Sequence, residues 1–155
     1  MMRQFFIDQF NHLYLTELCQ SADDRLKAIA AKAIKETAYH LRRSKDWVVR
    51  LGDGTEESHE RAQKAADDLW GYLPEIFEQD ELEKELIALG IAPDTSSFKA
   101  PWDEAIAAVF EEATLTVPNS TWAIRGGREG YHTENLGHIL TELQYVHRAY
   151  PGCEW

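Results

Sequence analysis

The sequence predicts an all-α protein, and two observations carry that prediction. Its five prolines and nine glycines fall mainly in a few short stretches, at residues 50–58, 90–101 and 116–130. Between these stretches the apolar residues recur with the spacing of a helix rather than with the alternation of a strand. A length of 155 residues and a hydrophobic content of 44% suit one globular domain. We therefore expect residues 1–155 to form a single helical domain of five to six helices.

The first predicted helix covers residues 3–20 and is apolar on nearly every side. Phe6, Phe10, Leu13 and Tyr14 form one stripe, and further large apolar residues lie outside it. A helix of this kind is expected to be buried on several sides.

The second predicted helix covers residues 24–50. One face collects apolar and small residues, namely Leu26, Ile29, Ala30, Ala33, Ile34, Leu41, Ser44 and Val48. The opposite side carries Lys and Arg side chains, a pattern typical of a solvated helix face. The small residues allow close approach of the first helix.

Four further helices follow. The third is predicted over 56–78, with Thr55 as N-cap and with Pro74 kinking or ending it. Others are predicted over 80–89, over 101–114 with Pro101 in its first turn, and over 133–150. The last has an apolar stripe of Leu136, Ile139, Leu140, Leu143, Val146 and Tyr150.

The stretch KETAYHLRRS, residues 35–44, raises the question of a metal site. Di-iron proteins built on helical bundles use Glu-x-x-His. Here Glu36 is followed at i+3 by Tyr39, and His40 comes one residue later. If the first two helices pack antiparallel around a turn near residue 22, Asp8 lies level with Glu36. Asp8, Glu36 and His40 could then be half of an iron or manganese site, or a buried cluster whose members hydrogen-bond one another. The second interpretation is favoured, because no other helix supplies the matching half-site.

Other polar residues have plainer interpretations. Glu17 lies within the apolar stripe of the first helix, where it either pairs with a basic group or marks the point at which the helix leaves the core. Arg125 and Arg128, among glycines, favour a plain loop over a phosphate contact. Cys19 and Cys153 are too far apart in sequence to suggest a CxxC site. No P-loop, GxGxxG, GxSxG or HExxH motif is present.

Charge excludes some functions. The formal net charge is −11, which opposes binding to nucleic acid or to an anionic membrane. The apolar runs are too short to span a bilayer. We expect a cytoplasmic protein whose partners are other proteins.

Four stretches together resemble a known family: RQFFID at 3–8, residues 28–58, EEATLTVP at 111–118 and residues 126–152. They are similar to the C subunit family of the ring-1,2-phenylacetyl-CoA epoxidase, a bacterial multicomponent oxygenase. The resemblance implies a ferritin-like helical bundle and a non-catalytic, structural role. It also implies that the catalytic A subunit, which carries the di-iron centre, is the partner, and that this chain itself holds no cofactor. Tyr39 would then stand where the second iron ligand of a related helix lies.

Family chains are longer, and this sequence resembles only their C-terminal part. We therefore expect a form shortened at the N-terminus, whose first helix lacks its usual neighbours. Such a helix would have to be covered by another copy or by a partner, so a homo-oligomer is expected when the chain is alone. The alternative function is a small ferritin-like oxidase, with a di-metal site completed by oligomerisation around Asp8, Glu36 and His40.

Overall fold

Helices make up nearly all of the regular structure in residues 1–119 and 121–154, the residues that the computed structural model describes. The α-helices are α1 (Met2–Leu18), α2 (Asp24–Gly52), α3 (Glu56–Trp70), α4 (Glu81–Ala88), α5 (Lys99–Glu112) and α6 (Glu134–Ala149). Short 3-10 helices occupy Pro74–Phe77, Thr95–Phe98 and Gly127–Glu129. The described residues contain no strand, and the prediction of an all-α protein is confirmed.

Local sequence signals fix most of the helix boundaries. The Asp23 carboxylate accepts hydrogen bonds from the backbone N–H groups of Arg25 and Leu26, both at 2.9 Å. Thr55 caps α3 as predicted, and Asp80 forms a reciprocal capping box with Glu83 at the start of α4. α3 is shorter than predicted. It ends at Trp70 because the ring of Pro74 would clash with the carbonyl of the residue four positions earlier.

The core is an aromatic cluster built around α1. Phe5 and Phe6 are fully buried, as are Trp102, Ile106 and Phe110 of α5. The Phe6 ring lies 5.8 Å from the Trp70 ring, 5.7 Å from Trp102 and 6.1 Å from Phe110, measured between centroids. The Trp102 indole N–H donates to the Phe6 carbonyl oxygen at 3.0 Å. α1 is therefore a central helix, packed against α2, α3 and α5.

This packing corrects the expectation that α1 would be left uncovered. Its large apolar side chains, from Phe5 to Leu18, are buried or half-buried within the chain. The prediction that α1 is left uncovered is therefore wrong, and it gives no reason to expect a homo-oligomer. Glu17 is exposed although the next residue, Leu18, is buried, so Glu17 lies on the solvent side of α1 rather than within its buried stripe.

The apolar face of α2 is as predicted except at one position. Ala30, Ser44 and Val48 are buried, whereas Ile29 is 60% exposed. Neighbouring residues of a helix point about 100° apart, so Ile29 cannot face α1 when Ala30 does. At the end of α2, a Cβ on Gly52 would lie 2.3 Å from the Ala113 carbonyl oxygen, which explains the glycine at this helix contact.

The described chain divides into two compact units, Met1–Ala123 and Ile124–Trp155. The second unit begins with a tight turn in which Gly126 and Gly130 both have positive φ, 93° and 90°. α6 follows, and its apolar stripe is largely exposed. None of the described helices is long and apolar enough to cross a membrane. The prediction of one domain over residues 1–155 stays a prediction.

We expect Phe6→Ala to lower the free energy of unfolding by about 3–5 kcal/mol, because it empties the centre of the aromatic cluster. Leu82→Ala is the control, since Leu82 is 62% exposed on α4 and its truncation should cost less than about 0.5 kcal/mol. Urea unfolding followed by circular dichroism measures both. Equal losses for the two variants would show that Phe6 is not central to the core.

Candidate interaction surface on the second helix

Asp8 is the buried polar link between α1 and α2. Its side chain is 2% exposed, and its two oxygens accept hydrogen bonds from different helices. Gln4 Nε2 donates to Oδ1 at 2.6 Å, and Ser44 Oγ donates to Oδ2 at 2.8 Å. A buried carboxylate is costly unless it is hydrogen-bonded, and these two donors satisfy that requirement.

The partner of Asp8 differs from the predicted one. The sequence placed Glu36 level with Asp8, whereas the structure places Ser44 there, about two helical turns further along α2. The segment between the helices explains the shift. Ser21 Oγ donates to the Ile91 carbonyl at 2.7 Å, and the Ala22 N–H donates to the Gly90 carbonyl at 2.8 Å. These bonds hold the segment between α1 and α2 against the residues that follow α4. As a result, α2 begins beyond the end of α1 instead of turning back beside it at once.

The three candidate ligands are consequently separated. Asp8 and His40 line one cleft of about 430 Å³, together with Met1, Gln4, Arg43 and Ser44. Glu36 is not part of its lining and is exposed on the outside of α2. The prediction that Asp8, Glu36 and His40 hydrogen-bond one another is wrong, because Asp8 bonds Gln4 and Ser44 instead. Among the described residues no group of three or more His, Cys, Asp or Glu side chains could hold a metal ion. The donor set therefore does not fit an iron site within one chain.

A continuous exposed surface runs along the outside of α2, and we call it the α2 outer face. It consists of residues spaced by three or four positions, all exposed: Arg25, Ile29, Lys32, Glu36, Tyr39, Arg43, Trp47 and Arg50. This spacing keeps the side chains on one side of the helix over its whole length. Glu36 and Tyr39 belong to this face.

The α2 outer face carries large apolar groups as well as charge. Ile29, Tyr39 and Trp47 are 60%, 54% and 41% exposed. Arg42 lies over the Tyr39 ring, 5.4 Å from its centroid, and Arg50 lies 5.9 Å from the Trp47 centroid. Tyr, Trp and Arg are the residues most enriched at the energetic centres of protein interfaces. Its composition is therefore that of an interaction surface rather than of an ordinary solvated helix.

The charge of α2 is opposite to that of the rest of the chain. α2 holds eight of the sixteen Lys and Arg residues and only three of the 27 carboxylates. The remaining residues therefore carry eight basic and 24 acidic side chains. The net charge of −11 for the whole chain therefore does not describe α2, which is basic. A basic helix on an acidic protein favours a partner whose facing surface is acidic.

The sequence showed the basic side chains on this side of α2, but they were interpreted as an ordinary solvated helix face. It missed Ile29 and Trp47 as surface residues, because it placed Ile29 in the core and did not assign Trp47. The signal that could have found them is the repeat of three and four positions outside the buried stripe. Arg125 and Arg128 lie beside and within the short Gly127–Glu129 turn of the second unit. The interpretation of this segment as a plain loop stays a prediction.

Two comparisons with known proteins show what this chain is similar to. The family model described as phenylacetic acid catabolic protein matches residues 1–155. The chain is also 44% identical over 153 residues to the C subunit of the 1,2-phenylacetyl-CoA epoxidase of Escherichia coli strain K12. The match covers 99% of this chain and 62% of the length of that relative.

Removal of the Ser44 hydroxyl should destabilise the contact between α1 and α2. We expect Ser44→Ala to lower the free energy of unfolding by about 1–3 kcal/mol, because the buried Asp8 carboxylate loses one of its two donors. Thr16→Ala removes an exposed hydroxyl from α1 and should cost less than about 0.5 kcal/mol. Urea titration of both variants measures the difference. A Ser44→Ala variant as stable as the parent would mean that the Asp8 carboxylate does not depend on this hydroxyl.

Proposed function

The chain belongs to the phenylacetic acid catabolic protein family, and we accordingly propose that it is a non-catalytic structural subunit of a bacterial di-iron oxygenase. That oxygenase epoxidises the aromatic ring of phenylacetyl-CoA in aerobic phenylacetate degradation. The di-iron centre lies in the catalytic A subunit, and this chain packs against it. The complex works in the cytoplasm.

The observation that carries the proposal is the 44% identity to an epoxidase C subunit across nearly the whole chain. The fold agrees with it, since the chain is all-helical and of the ferritin-like class. That relative is one subunit of its enzyme, so other chains complete the enzyme. A family member of this kind acts through the surfaces that it offers to other subunits.

The residues around Glu36 support the structural role. Glu36 and Tyr39 lie on the exposed α2 outer face, and Asp8 is held by Gln4 and Ser44 inside the α1–α2 contact. A di-iron site needs several carboxylates and imidazoles gathered inside a bundle. An arrangement in which Glu36 is exposed while Asp8 is buried and held by other donors favours a helix that serves packing rather than iron binding.

The α2 outer face is the part of this chain that we assign to the A subunit. Its exposed aromatic groups supply apolar area, and its arginines supply charge-assisted hydrogen bonds to carboxylates. A facing acidic helix would pair with the basic residues of this face while covering the Tyr39 and Trp47 rings. Electrostatic attraction would also speed the encounter of the two subunits.

We expect Trp47→Ala and Arg43→Glu each to weaken binding to the A subunit by about ten-fold or more, as truncation at an interface centre does. Titration calorimetry with the purified A subunit measures the dissociation constants. Trp122→Ala and Arg61→Glu are the matched controls, because Trp122 is 46% exposed and the Arg61 side chain is 79% exposed, both outside α2. If the control variants weaken binding as much as the α2 variants do, the α2 outer face is not the surface that binds the A subunit. Absence of binding by the parent chain would contradict the proposed role itself.

Iron content tests the non-catalytic role directly. After anaerobic reconstitution with Fe(II) and desalting, we expect iron well below one equivalent per chain, because the described residues gather no set of three ligands. Iron near one or two equivalents that is lost in Glu36→Ala and in His40→Ala would overturn this role. The protein would then be an oxidase whose site is assembled between chains.

A further inference from the structure

A cleft between α1 and the end of α3 has an apolar interior and belongs to neither of the surfaces described so far. Its volume is about 290 Å³, close to the lower end of the range for small-molecule sites. Apart from two exposed residues, its lining consists of apolar side chains: Phe6, Ile7, Leu69, Leu73 and Ile76. A cleft of this size and lining suits the hydrocarbon part of a small molecule.

The deep wall of this cleft is fixed by the core. Phe6 is fully buried, and its ring packs against the rings of Trp70 and Trp102. Leu73 is 8% exposed and belongs to the same cluster. A ligand that enters the cleft therefore meets walls that are already in place, so binding does not require the core to reorganise.

The two exposed residues, Arg3 and Tyr72, form the polar edge of the cleft. The Tyr72 ring meets the Trp122 ring edge to face, with 5.8 Å between the centroids. Trp122 in turn lies directly over Gly71, where a Cβ would overlap its ring. These contacts hold the Tyr72 ring in position beside the apolar walls.

Arg3 makes the edge of the cleft positive. Its side chain is exposed and, within residues 1–119 and 121–154, forms no ion pair. It lies in the first turn of α1, where the helix dipole adds partial positive charge and no acidic side chain is present. None of the described residues that line the cleft is acidic. The lining therefore favours an anionic group beside Arg3 and an apolar body beside Phe6.

Two other clefts lack this combination. The cleft of about 330 Å³ that Met2, Val48 and Ala62 help to line also contains an arginine, Arg61. That guanidinium is already paired with Glu57, at 3.3 Å between Nη1 and Oε1. The cleft of about 430 Å³ between α1 and α2 contains the Asp8 carboxylate, which would repel an anion.

We propose that the cleft between α1 and the end of α3 binds a small monocarboxylic acid with an apolar body, such as a medium-chain alkyl acid. The Arg3 guanidinium donates charge-assisted hydrogen bonds to the carboxylate, and the hydrocarbon part is buried against Phe6 and Leu73. This inference does not depend on the proposed function.

Titration of the full chain with sodium octanoate, followed by two-dimensional amide NMR spectra, tests the proposal. Octanoate is expected to shift the amide signals of Leu73 and Ile76, with a dissociation constant of about 1 mM or below. Octylamine has the same apolar body and the opposite charge. It is expected to bind about ten-fold more weakly or not at all, because its ammonium group meets the Arg3 guanidinium.

Arg3→Gln removes the charge at an exposed position, so the fold is expected to stay intact. It is expected to raise the dissociation constant for octanoate by about five-fold or more, because the carboxylate loses its charged donor. Arg61→Gln is the matched control, since it makes the same change beside another apolar cleft, and it should leave the constant within about two-fold of the parent.

Four outcomes overturn the proposal. They are the absence of saturable shifts with octanoate, shifts confined to residues outside the cleft, octylamine that binds as tightly as octanoate, and an Arg3→Gln variant that binds octanoate as the parent does. Weakening by Arg61→Gln instead of Arg3→Gln would place the ligand in the other cleft and would overturn it as well.

Discussion

The hydrogen bond from the Trp102 indole to the Phe6 carbonyl is the contact that organises the first unit. It joins the start of the chain to α5, 96 residues away, inside a cluster of rings that also includes Trp70 and Phe110. An indole N–H that is buried needs an acceptor, and the second lone pair of a helical carbonyl supplies it without breaking the helix. This places α1 at the centre, with α2, α3 and α5 around it.

A central α1 decides what α2 can present to solvent. α2 turns its small residues inward, because Ala30 and Ser44 let the two backbones come close. The Asp8–Ser44 hydrogen bond then fixes how far α2 is displaced along α1. With that register, the stretch that looks like an iron-binding helix has Glu36 and Tyr39 on its outside. A shift of about two helical turns thus separates a metal-site interpretation from an interaction-surface interpretation.

The charge of the α2 outer face also decides which kind of partner it accepts. The face is basic and aromatic in a chain that is otherwise strongly acidic, so it suits an acidic partner and repels a second α2.

The helical class, the six α-helices and most of their ends could be predicted from the amino-acid order, because caps and prolines act within four residues of where they stand. Thr55 and Pro74 were assigned on that basis. The family could be predicted as well, since long stretches such as residues 126–152 match it in combination.

The partner of Asp8 could not be predicted in this way. Asp8 bonds Ser44 rather than Glu36 because the Ser21–Ile91 and Ala22–Gly90 bonds join parts of the chain about 70 residues apart. The exposure of Ile29 also emerges only when the helices are packed together. Periodicity gives the width of an apolar face, but the neighbouring helix decides which edge of that face is covered.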